Sequence, residues 1–128
     1  MGVKVLDMSR ILAGPTCTQL LGDYGADVIK IEKPGSGDDT RNWGPPFMKN
    51  EDGEDTNESG YFLASNRNKR SLSLDISKEE NVGIIKALLK DCDVFIENFK
   101  VGSLKKYGLD YHSLSEEFPQ LIYCSITG

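Results

Sequence analysis

The feature that most narrows the fold of this chain is a β-α-β unit within its first few dozen residues. Val3-Lys4-Val5-Leu6-Asp7-Met8 is a short apolar-rich run of strand type. Gly14-Pro15 then opens a helix, with proline where its missing N–H costs nothing. Cys17, Leu20, Leu21 and Tyr24 recur at i, i+3, i+4 and i+7, which predicts a buried stripe, and Gly25 stands where a left-handed stop belongs. Asp27-Val28-Ile29-Lys30-Ile31-Glu32 follows as a second strand.

The rest of the chain repeats the theme after an interruption. From Pro34 to about Gly60 the pattern lapses into Gly, Pro, Asp, Asn and Glu, predicting a long loop whose acidic part, around 48–60, is mobile. Tyr61-Phe62-Leu63 predicts a short helix, and the alternation of Ser71 to Ile76 a strand. Ser77-Lys78-Glu79-Glu80 reads as a capping box, with Ile85, Leu88, Leu89 and Cys92 as the buried stripe of the helix it starts. Asp93 to Glu97 is the next strand, followed by short helices around Ser103 to Tyr107 and Tyr111 to Phe118 and a last strand from Leu121 to Ile126. Strands alternating with helices imply an α/β fold, Rossmann-like and doubly wound, with a mainly parallel sheet covered on both faces.

Composition sets outer limits. The 128 residues suffice for one domain with a real core, and 38% hydrophobic and 27% charged residues are ordinary for a globular chain. A net charge of −5 argues against nucleic acid as the main partner. No apolar run approaches the roughly 20 residues needed to cross a bilayer, so no membrane partner is expected. Cys17, Cys92 and Cys124 are widely spaced, with no C-x-x-C pair, and read as reduced core thiols rather than metal ligands. With no targeting peptide visible, an intracellular location is expected, either mitochondrial or cytoplasmic.

Parallel α/β sheets bind ligands beyond the carboxyl ends of their strands. Ser9, Arg10 and Leu12 follow the first strand, Lys33 the second, Asp75, Ile76 and Ser77 the third, and Asn98, Phe99 and Lys100 the fourth. Arg10, Lys33 and Lys100, with nearby Lys105 and Lys106, gather positive charge on one rim of an acidic domain, and the N-terminus of the first helix adds to it. A phosphate ester fits such a rim, whereas these could also be solvated surface lysines. The first turn has only Gly14 where a dinucleotide fingerprint needs three glycines, and there is no P-loop.

These residues carry a family pattern. Val5-Leu6-Asp7 with Leu12-Ala13-Gly14-Pro15, Leu21-Gly22-Asp23 with Gly25 to Glu32, Gly35 to Arg41 with Trp43-Gly44-Pro45-Pro46, Asn66 to Ser71, Asp93 to Phe99, and Leu121 to Gly128 occur in order. Together the chain resembles the family III CoA-transferases of the CaiB/BaiF type. The run from Gly37 to Pro46 and the closing Tyr-Cys-Ser-Ile-Thr-Gly look most like the dicarboxylate members acting on succinate or hydroxymethylglutarate.

The resemblance implies a substrate, coenzyme A or an acyl-CoA, with carboxylates as partners and no metal. It places Leu12 and Ala13 along the CoA path, beside Arg10, and Lys33 at a position that contacts the nucleotide phosphates. Leu74, Asp75 and Ile76 would hold the adenine end, with Asn98 and Phe99 beside it, and Lys106 would face another phosphate. Lysine at 33 and 106, where relatives carry arginine, keeps the charge and loses the planar fork. The family's nucleophile is an aspartate that passes CoA on through an aspartyl-CoA intermediate. It matches nothing here and is expected beyond Gly128, so residues 1–128 read as an N-terminal CoA-binding segment, inactive alone. Relatives form interlocked homodimers, which makes a homodimer the expected assembly. An α-methylacyl-CoA racemase-like enzyme and a non-catalytic CoA-binding module are the alternatives.

Five further readings rest on the residues themselves. Asp7, mid-strand, calls for a buried hydrogen-bonded role. His112 reads as a surface residue. Asp38, Asp39 and Arg41 are either turn residues capping local amides or a pair guarding an acyl pocket. Arg67, Lys69 and Arg70 are either a charged corner or an additional phosphate steer, and Trp43 is packing.

Overall fold

The opening unit folds as strand β1 (Lys4–Asp7), helix α1 (Ala13–Asp23) and strand β2 (Asp27–Glu32) in a computed structural model that describes residues 2–127. Gly128, the last residue of the closing motif, lies outside the described residues. A 3-10 turn (Asp39–Asn42), an antiparallel pair β3 (Phe47–Lys49) and β4 (Asp55–Ser59), and helix α2 (Gly60–Ser65) come next. They lead to β5 (Lys69–Ser73), α3 (Glu79–Leu89), β6 (Val94–Glu97), a 3-10 turn (Lys105–Tyr107), α4 (Tyr111–Glu117) and β7 (Ile122–Ser125).

The main sheet has the order β5-β2-β1-β6-β7 and is parallel throughout. Val5 pairs with Val28 on one side and Val94 on the other, and Leu6 with Ile29 and Phe95. The alternation of side chains then divides the core. Leu6, Ile31 and Phe95 point to one face, where Ile85 and Leu89 of α3 and Leu114 of α4 cover them. Val5, Val28 and Ile96 point to the other, beneath Cys17 and Leu21 of α1. Helices on both faces make the fold doubly wound.

The strand order reverses between β1 and β6. After β2 and β5 the chain builds away from β1 on one side, and it then crosses back to add β6 and β7 on the other. At such a switch point the loops leaving the two central strands diverge and open a crevice.

Four details differ from the sequence reading. The stretch from Pro34 to Gly60 is not a featureless loop: its hydrogen-bonded core is the β3–β4 pair, closed around an Asn50–Glu54 turn in which Asn50 accepts the Asp52 and Glu54 amides. Polar turn residues masked two strands too short to show a period. The third parallel strand is Lys69–Ser73 rather than Ser71–Ile76, because its partner β2 ends at Glu32, opposite Ser73. The capping box does not form. Ser77 gives its amide and hydroxyl to the Asp75 carboxylate, and α3 starts at Glu79 with no side-chain cap.

The fourth difference concerns α1. Leu20 is 49% exposed and Tyr24 90%, while Thr18 and Gln19 are buried. The sheet surface under this helix turns ionic toward its carboxyl end, so polar residues are what can be buried against it. Among the described residues the three cysteines are unpaired, with Cys92 buried and the other two half-buried. No helix of the described residues is long and apolar enough to cross a membrane.

Candidate functional site

Beyond the carboxyl ends of β1, β2, β5 and β6 lies a cleft of about 210 Å³. Arg10, Lys33, Leu74, Asp75, Ile76 and Phe99 all line it, with Met8 and Ile31 toward the core and Tyr107 on the far wall. These six arrive by the same route: a strand ends, the chain turns outward, and a side chain one to three residues further on faces the crevice. The Arg10 guanidinium lies 5.6 Å from the centre of the Phe99 ring and 3.3 Å from the Asp39 carboxylate, half-exposed. The Lys33 side chain stands in solvent. Asp75 stays anionic beside it, its carboxyl held below the usual range by the Ser77 hydroxyl and amide, with Lys33 adding to the effect.

Of the other predicted site residues, Asn98 directs both polar atoms of its amide to the Arg10 backbone, accepting from N–H and donating to C=O, each at 2.8 Å. Lys106 lines an adjoining groove that shares Ile76, Ser77 and Tyr107 with the cleft, and its ammonium sits 4.8 Å from the Tyr107 ring centre. Leu12 and Ala13 begin α1 at the same rim, exposed, and are not part of the cleft wall. Lys100 belongs to a separate hollow with Glu97 and Tyr123.

Beneath the cleft the sheet carries an ionic layer that the sequence reading missed. Lys30, mid-strand in β2, pairs with Asp38 at 2.8 Å and donates to the Ser9 carbonyl at 2.8 Å; the two side chains are 1% and 0% exposed. Asp38 also accepts the Thr40 amide and hydroxyl. Burial alone would raise the Asp38 carboxyl, but Lys30 and Thr40 outweigh it and hold it below its ordinary range. Arg41 forks onto Glu32 at 2.8 and 2.7 Å and stacks 3.7 Å from the Phe62 ring centre. Burial likewise works against the Glu32 charge, yet bonds from Arg41, Ser71 and the Asp38 amide bring its carboxyl down to about 2. Asp38 caps local amides as the turn reading expects and also reaches the cleft wall, while Asp39 pairs with Arg10 and Arg41 with Glu32.

Asp7 is fully buried, accepting from Ser9, Thr18 and Lys69, as its position in the strand required. Burial lowers the Lys69 ammonium to about 8 against the pull of the Asp7 carboxylate. Arg67 and Arg70 pair with Asp23 and Asp27, and Lys69 with Asp7, as the charged-corner reading expects. Trp43 packs edge-on against Tyr61 at 5.9 Å, and His112 is an exposed residue of α4. Gly14 is required where α1 meets the β1 loop, because a Cβ there would lie 2.2 Å from that of Ser9.

An apolar slot walled by Leu74, Ile76 and Phe99, with Arg10 and Lys33 at its rim, suits a flat ring attached to an anionic chain; of the carboxylates in its lining, Glu32 and Asp38 are taken by Arg41 and Lys30, and Asp75 faces Lys33. An α/β protein with a cleft at its sheet's switch point is the class these features define. The chain belongs to CoA-transferase family III, whose model matches residues 1–128. It is 52% identical over 99% of its length to a succinate–glutarate CoA-transferase of Agrobacterium fabrum and 53% identical over 99% to the succinyl-CoA:glutarate CoA-transferase of Homo sapiens. It spans 32% and 27% of those two proteins. A crystal structure of a CaiB/BaiF family protein from Brucella suis superposes with a TM-score of 0.90 at 57% identity, over 99% of this chain and 32% of that one.

Proposed function

We propose that this chain forms the CoA-binding part of a CoA-transferase that moves coenzyme A between dicarboxylic acids. The observation that carries the reading is the convergence of Arg10, Lys33, Leu74, Asp75, Ile76 and Phe99, from four separate loops, on one cleft. Leu74 and Ile76 offer apolar contact to the adenine ring, and Asp75 an acceptor for its amino group. Arg10 and Lys33, joined by Lys106 along the adjoining groove, supply the field for the phosphates. Lysine at 33 and 106 acts through charge rather than a bidentate fork, so affinity falls with added salt. Leu12 and Ala13, exposed at the start of α1, lie along the path of the pantetheine arm.

The transfer step is assigned to an aspartate outside residues 1–128. Its carboxylate attacks the donor thioester, expelling CoA thiolate and forming a mixed anhydride; the thiolate then attacks the aspartyl carbonyl and releases the donor acid. The acceptor carboxylate attacks the resulting aspartyl-CoA, expelling CoA thiolate and forming a second mixed anhydride; the thiolate then attacks the acceptor acyl carbon of that anhydride and the aspartate leaves. The similarity to transferases acting on succinate and glutarate supports dicarboxylates as donor and acceptor. A homodimer belongs to the same proposal, supported by the apolar side chains that α1 leaves in solvent.

Calorimetric titration of CoA into the full-length protein tests the cradle. Lys33→Ala is expected to weaken binding about tenfold, the loss of one charge-assisted phosphate contact. An unchanged affinity overturns this assignment, and failure to form glutaryl-CoA from succinyl-CoA and glutarate overturns the choice of substrates.

A further inference from the structure

Ile11 has a φ of 72°, in the left-handed region. A β-branched residue is a genuine outlier there, and such a conformation persists only where its surroundings over-determine it. Here they do. The Ser9 amide donates to Asp7 at 2.9 Å, the Ser9 carbonyl accepts from Lys30 at 2.8 Å, and the Ile11 amide donates to Asp38 at 3.2 Å. Between them, the Arg10 N–H and C=O are both taken by the Asn98 side chain at 2.8 Å. Only one orientation of the Asn98 amide satisfies that pair, with its oxygen on the N–H and its nitrogen on the carbonyl. The other three bonds come from buried charged groups that the core fixes; the Ile96 carbonyl of β6 takes the Met8 amide at the start of the segment, and the Asn98 side chain reaches across from the end of β6 to hold Arg10 itself.

The consequence of the turn is the direction of Arg10. With Ile11 left-handed, the Arg10 side chain lies over Phe99, the residue after Asn98, and on the cleft wall. We infer that Asn98 is a positioning residue: its amide clamps the Arg10–Ile11 segment in a strained turn and so aims Arg10 into the cleft, acting on CoA through that backbone and not by contact. This rests on the CoA-cradle reading above, and the experiment separates the two.

Four full-length proteins decide it: wild type, Asn98→Ala, Ile11→Gly and the double variant. Glycine adopts the left-handed turn freely, so it removes the need for the clamp. Asn98→Ala is expected to weaken CoA binding about tenfold, and the double variant to return to within about threefold of wild type. Ligand-free urea unfolding should move the other way. Ile11→Gly stabilises the wild type by relieving strain, and stabilises Asn98→Ala less, because there the turn has already relaxed. A double variant that binds CoA as weakly as Asn98→Ala overturns the inference, as does equal stabilisation by Ile11→Gly in both backgrounds. If the wild type binds no CoA, the cradle reading falls, and the unfolding comparison still decides whether the clamp exists.

Discussion

Glu32 illustrates how a single residue is assigned its job by its neighbours. At the end of β2 it accepts the Arg41 fork, the Ser71 hydroxyl and the Asp38 amide, and these bonds hold its carboxyl at about 2 against an ordinary 4.5. A depressed carboxyl contributes stability that is complete above pH 4.5 and is lost as the pH falls through about 2. Glu32→Gln is expected to cost on the order of 3 kcal/mol near neutral pH and to flatten the decline between pH 4.5 and 2. Urea unfolding midpoints measured across that range check both. Asp7 could be read as a buried acceptor because a carboxylate within an apolar strand must be paired. Lys30 could not, since in sequence it looks like any outward-facing residue of an alternating strand. Its burial depends on Asp38, which a turn brings back over it.

At the scale of elements, α1 and α3 carry similar apolar spacing and meet different surfaces. Under α3 the sheet presents Leu6, Ile31 and Phe95, and Ile85 and Leu89 are fully buried on it as their spacing predicted. Under α1 the sheet is apolar at Val5 and Val28 and ionic at Asp7 and Lys30, so Thr18 turns inward to donate to Asp7 and Leu20 turns out. Periodicity alone ranks the two leucines as equals. Leu89→Ala should therefore cost about 2–5 kcal/mol, whereas Leu20→Ala should stay within about 0.5 kcal/mol of wild type in the monomer. Chemical denaturation of the two variants tests the distinction, and a comparable loss in both would restore the stripe that spacing suggests. The β3–β4 pair lay hidden for a different reason. Strands of three and five residues give no period to read, and cross-strand hydrogen bonds leave no trace in local sequence.

Over the whole molecule, the cleft exists because the strand order reverses between β1 and β6, which sets loops from distant parts of the chain face to face. A ligand that bridges those loops favours the folded state. CoA at a hundred times its dissociation constant is expected to add about 2.7 kcal/mol of stability and to raise the melting temperature by roughly 10 °C. Differential scanning fluorimetry with and without CoA measures the shift, and its absence at saturating ligand would mean that CoA does not bridge the loops.

By itself the sequence determined the alternation of strands and helices that builds the parallel sheet, and the rim where Arg10, Lys33, Asp75 and Phe99 would meet, since hydrophobic period and strand ends are local properties. Tertiary structure alone decided which face of α1 is buried, where the third strand stops, and how Lys30, Asp38 and Asn98 hold the turn at Ile11. Those outcomes depend on which charges come within hydrogen-bond reach after folding. Spacing along a chain carries no record of that.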